Sequence, residues 1–177
     1  MGDLESTSTV VKSYLIRPDG FSISDAATNL HNISHAVAAA DGIPLQRALG
    51  EMLTDVLSCC RRGGRLCSHH LHFDASIIMA EMARSGFDDM CEQWAAVARM
   101  GVCTMDPDIA HWVRTMMGTT DIPYFIPMRL TDMVSALLPG AKDLLAKHHR
   151  ANTDALMHMM LCCELARRAR STSAPPG

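Results

Sequence analysis

Over most of the chain the apolar residues recur every three or four positions, the spacing of a helix that buries one face. The clearest stripe follows Pro44, where Leu45, Leu49, Met52, Leu53, Val56, Leu57 and Cys60 share one side. Pro44 opens this helix, and "RRGG" (Arg61 to Gly64) ends it. Asp74 reads as the N-cap of "ASIIMAEMARS", which Gly86 closes, and a further helix runs from Asp88 to Met100 and stops at Gly101. Asp106 followed by Pro107 starts "DPDIAHWVRTMMG", and Gly118 ends it. "TTDIPYFIP" reads as a loop. "RLTDMVSALLPG" is a short helix capped by Thr131 and stopped by Pro139, and "AKDLLAKHH" is another short helical stretch. The last helix starts near Asn152 and carries "DALMHMMLCCELARRAR".

Strand signals are fewer. "TVVKSYLIRP" (Thr9 to Pro18) alternates and is rich in β-branched and aromatic residues, so it predicts a strand stopped by Pro18. "RLCSHH" and "VCTM" are short strand candidates, and "DGFSISDAATNLHNIS" is turn-rich with a short helical piece. Strands scattered among helices, with no internal repeat, predict an α/β architecture. The length of 177 residues suits one domain, here 1–170, followed by a disordered tail at 171–177 with the sequence "STSAPPG" at its end.

Composition narrows the function classes. A hydrophobic content of 48% and a charged content of 20% describe a folded globular chain. The net charge of -3 excludes bulk coating of nucleic acid, so any polyanion must be held by local basic patches or bound metal. No apolar run approaches a membrane span, and the N-terminus lacks the pattern of a signal peptide. The seven cysteines include no C-x-x-C, and two adjacent pairs sit within apolar helical patterns. They read as reduced, apolar core residues of an intracellular protein. The fourteen methionines suit soft, gap-filling cores.

Two clusters carry candidate chemistry: "SHHLHFDAS" (Ser68 to Ser76) and "HHRANTDALMH" (His148 to His158). Each sets histidine shortly before an aspartate that begins a helix. Either aspartate alone is explained by capping and the helix dipole. His69, His70 and His72 could bind zinc, although their spacing matches neither C-x-x-C nor H-E-x-x-H.

Taken in order, the segments resemble the motifs of DnaQ-like 3'-to-5' exonucleases, the DEDDh group of the ribonuclease H-like superfamily. "HNIS" (His31 to Ser34) after "RPDGFSISDAAT" resembles that family's "HGIT" segment. "SHHLHFD" resembles its second motif, A-H-N-x-x-F-D, with His70 where Asn is usual. "HRANTDA" resembles the third, H-x-A-x-x-D-A, with His149, Ala151, Asp154 and Ala155 matching. "CTMDPDIAHWV" stands at the "DTL" segment with Cys103 replacing Asp, and "MRLTDMVSALLP" is similar to the "L-x-D-L" helix. The likeness spans roughly residues 10 to 168.

The resemblance implies a ribonuclease H-like sheet in the order 3-2-1-4-5 and hydrolysis of nucleic-acid phosphodiester bonds from the 3' end. Two Mg²⁺ or Mn²⁺ ions about 4 Å apart would stabilise both oxygens of an in-line displacement. Asp74 and Asp154 would be metal ligands, and His149 the general base toward the attacking water. The partner would be single-stranded or 3'-end DNA or RNA, with Arg61, Arg62, Arg65, Lys147 and Arg150 as candidates for its backbone. The family's first motif, D-x-E-T-T-G, ends a buried strand. "DLEST" supplies Asp3 and Glu5 in those letters, but only Met1 and Gly2 precede it. It reads better as a turn, which leaves the first two strands of the sheet absent. The alternative function is then a non-catalytic exonuclease-like module that binds nucleic acid or a protein partner.

Overall fold

The structure, a computed structural model, describes residues 9–146 and 150–172. Asp3, Glu5, Lys147, His148, His149 and residues 173–177 lie outside the described residues. Nine α-helices and one pair of short strands are present among those described. The helices are α1 (Asp25–His31), α2 (His35–Asp41), α3 (Leu45–Arg61), α4 (Leu71–Arg84), α5 (Cys91–Arg99), α6 (Pro107–Met117), α7 (Leu130–Leu137), α8 (Lys142–Leu145) and α9 (Ala151–Thr172). The strands are β1 (Cys67–Ser68) and β2 (Val102–Cys103), which pair in parallel with Cys67 opposite Val102 and Ser68 opposite Cys103.

This architecture overturns the α/β ribonuclease H-like expectation. Among the described residues the fold is mostly helical, and its only sheet has two strands of two residues each. The strand candidates at "RLCSHH" and "VCTM" do form that pair, joined through α4 and α5 as a parallel crossover requires. The segment Thr9–Pro18 does not join them. It makes a single bridge, Ile16 to Ile43, through Ile43 N–H to Leu15 O at 2.8 Å and Arg17 N–H to Ile43 O at 2.9 Å. Its alternation has another use. Lys12 pairs with Asp55 and the Tyr14 hydroxyl donates to Glu51 at 2.9 Å, so alternate side chains are laid on the flank of α3. Val10 and Val11 on this segment are exposed.

Helix boundaries follow local chemistry. Asp106 caps α6 by accepting from the Asp108 N–H at 2.9 Å, Pro107 takes the first helical position, and Gly118 ends it with φ 70°. Asp74 is not an N-cap: α4 begins earlier, at Leu71, so Asp74 sits within its first turn. Likewise α7 begins at Leu130 after Arg129, one residue before Thr131. The stretch Asp88–Met100 divides into a 3-10 turn, Asp88–Met90, and α5.

Two apolar clusters hold the helices together. Leu53, Met82 and Trp94 join α3, α4 and α5, and the Trp94 indole N–H donates to Ala75 O at 3.1 Å. Val113, Met133, Val134, Leu137, Met157, Leu161 and Leu165 join α6, α7 and α9. Methionine fills gaps in both. The strand pair lies between the clusters, with α4 and α9 both packed against β1.

Candidate functional site

Both strands end on residues that turn toward α9. His69 follows β1 and Thr104 follows β2, so both stand at the C-terminal ends of parallel strands, where ligand sites of parallel sheets gather. The Thr104 side chain lies 2.9 Å from His69 Nδ1 and 3.0 Å from Nε2 of His158 on α9. The Thr104 hydroxyl has one proton and two lone pairs, so the tautomer of each ring sets which way each bond runs. This chain of hydrogen bonds joins the segment after β1 to α9, across 89 residues of sequence.

Burial sets the charge of this cluster. Thr104 and His158 are buried and His69 is half-buried. Burial first, and then the nearby His69, push the His158 pKa down to about 4, with Asp74 opposing both. Burial also lowers that of His69. Both rings are therefore neutral near pH 7. Beside them is a cavity of about 220 Å³ lined by His69, Met105, Met128, Arg129 and Leu130.

Asp74 is exposed and accepts a hydrogen bond from the Ser68 hydroxyl. His70 stacks on Phe73 with ring centroids 5.4 Å apart. His69 is turned toward Thr104, so His69, His70 and His72 do not converge as a zinc site. Asp154 lies half-buried in the first turn of α9, one turn before His158, and its N–H donates to Arg150 O at 2.9 Å. Cys103, at the position of the expected aspartate, donates weakly to His69 O at 3.7 Å. Thus the second-motif segment and α9 meet, but among the described residues no three of His, Cys, Asp and Glu gather as a metal-binding group. A two-metal centre needs several converging hard oxygens. The described donor set does not fit it, and no catalytic step is derived through metal. The general base expected at His149 is outside the described residues.

All seven cysteines are free, and none belongs to the buried core; Cys59 and Cys163 are exposed. Five are half-buried, and Cys91 packs against the cluster of Leu53, Met82 and Trp94, so the core reading holds only for the edge of the core. Thr104 and His158 are the members that sequence reasoning did not single out. The available signal was the four-residue step from Asp154 to His158, which puts both on one helix face.

At the opposite, N-terminal end of the strands lies a larger groove of about 500 Å³. Leu57, Leu66, Val97 and Met100 form an apolar floor, and exposed Arg61 and Arg65 stand on its rim with Gln93. The Arg65 guanidinium is steadied by Met100 O at 3.3 Å. Glycines at 63 and 64 shape the turn that brings the two arginines together, Gly63 with φ 89°. No family model, curated protein or solved structure matches the chain. Among the described residues no helix is long and apolar enough to cross a membrane.

Proposed function

We propose that the protein is a binding module for single-stranded nucleic acid, with the Arg61 and Arg65 groove as the seat of the strand. The observation that carries this reading is a basic rim on an apolar floor in a chain whose net charge is -3. Single strands offer both partners: unstacked bases for the floor and phosphates for the guanidinium groups. The motif order around His69, Asp74 and Asp154 supports a nucleic-acid ligand rather than another anion.

The test is fluorescence anisotropy with a labelled single-stranded oligonucleotide, in DNA and RNA forms, over a range of salt. Binding weakens with salt, and each lost phosphate contact reduces the log–log slope by about 0.7. Arg61→Glu with Arg65→Glu removes two such contacts and lowers affinity at fixed salt. Parent and double variant binding alike, or no salt-dependent binding in the parent, overturns the reading. A second arm adds Mg²⁺ or Mn²⁺ and follows strand length on a denaturing gel. Stepwise 3' shortening that Asp74→Asn and Asp154→Asn abolish assigns exonuclease activity to the chain; an intact, bound strand supports the binding module.

A further inference from the structure

Arg114 places a permanent charge inside the fold. It stands beside Ala110 and Val113 on the buried face of α6 and is only 3% exposed. A guanidinium keeps its proton in a protein, so its burial is not relieved by neutralisation. The hydrogen bond it makes, from Nη2, goes to Ile126 O, a neutral acceptor. Nε and Nη1 are buried and have no hydrogen-bond partner among the described residues. Arg114 also takes no part in the ion pairs among those residues. A buried cation in this state costs free energy until an acceptor reaches it, and an anion is the acceptor that also balances its charge.

The loop 119–127 is clasped by this same residue. At its start the Thr119 N–H donates to Arg114 O at 3.0 Å, and near its end Nη2 holds Ile126. Between these points Ile122, Tyr124 and Phe125 are exposed, Phe125 to 71%. The usual order is inverted, with apolar side chains outside and a charge within. The nearby carboxylates do not answer that charge: Asp108 accepts from the Tyr124 hydroxyl, and Asp121 on the loop is exposed.

We propose that Arg114 anchors a binding site for a small oxyanion, held beneath the loop 119–127.

The guanidinium plane has the donors for it. Nη2 shares one edge of the plane with Nε and another with Nη1. An oxyanion on either edge meets two parallel N–H groups, the fork that phosphate and carboxylate match. Every residue from 120 to 127 is exposed, so the ion enters by displacing this surface loop and leaves the helical core undisturbed. The Arg61 and Arg65 groove is a separate place, lined by α3, α5 and the turn after α3. The oxyanion site does not rest on nucleic-acid binding there.

The test follows the Arg114 side chain of the full chain by heteronuclear NMR. Inorganic phosphate is the probe, and sodium chloride keeps the ionic strength constant. The expected result is a saturable shift of the Arg114 Nε–H resonance as phosphate is added. The thermal midpoint rises with it, by about 3–6 °C at ten times the dissociation constant. Arg114→Met, which fills the same space with an apolar chain, abolishes the phosphate-dependent rise. Arg61→Glu with Arg65→Glu keeps both effects, which separates this site from phosphate bound in the groove. A resonance that phosphate does not move, with cross-peaks to water alone, overturns the proposal. So does an equal rise in midpoint in the parent and Arg114→Met, which is the general effect of an excluded salt. The resonance is read in the parent, so it decides the question even if Arg114→Met does not fold.

Discussion

His158 shows how one side chain can link stability to pH. It accepts its proton near pH 6.5 in the unfolded chain and only near 4 in the folded protein, because burial disfavours the charged ring. Between those values the unfolded chain holds more protons. Stability is therefore full above about pH 6.5 and falls as pH drops toward 4. The loss is on the order of 3 kcal/mol for this group, and His69 shifts in the same direction. Urea unfolding at about pH 7 and about pH 4.5 measures it. His158→Gln, which keeps a polar partner for Thr104 but does not titrate, flattens the dependence. A variant that loses as much stability as the parent places the titration elsewhere.

Among the elements, the extended segment 9–18 is held by few contacts. Its backbone meets the body of the protein at the Ile16–Ile43 bridge, and Arg17 Nε donates to Gly42 O at 3.2 Å. Gly42 allows this approach because it has no side chain: a Cβ there would stand 2.3 Å from Ala38 O at the end of α2, 2.6 Å from Arg17 N and 2.8 Å from its Cα. Gly42→Ala pushes the segment away. Limited trypsin digestion then cuts at Lys12 several-fold faster than in the parent, with little change in the midpoint of global unfolding. Unchanged cleavage would show that the Lys12–Asp55 and Tyr14–Glu51 contacts hold the segment without the bridge.

At the scale of the whole molecule, two apolar clusters meet at a very short strand pair. Leu53 is fully buried in the cluster of α3, α4 and α5, and Leu53→Ala costs about 2–5 kcal/mol there. The few backbone bonds between the clusters carry little of that loss across. Amide exchange should accelerate in α3, α4 and α5 and stay near the parent rate in α7 and α9, the behaviour of separate cooperative units. Equal acceleration in both clusters would show a single unit.

Much of the local structure was legible in the sequence. The stripe from Leu45 to Cys60, the Asp106–Pro107 start, the Gly86 and Gly118 stops and the two short strands near Cys67 and Val102 all rest on signals within about four residues. The fold class was not legible. The alternation from Thr9 to Pro18 specifies an extended chain with two faces, and the same pattern serves a sheet or the flank of a helix. Which of these forms depends on what lies alongside, and here α3 offers Glu51 and Asp55. Tertiary packing likewise chose Thr104 as the bridge between His69 and His158. Those contacts join residues 35 and 54 positions apart, whose meeting is decided by how helices pack and not by the spacing of neighbours.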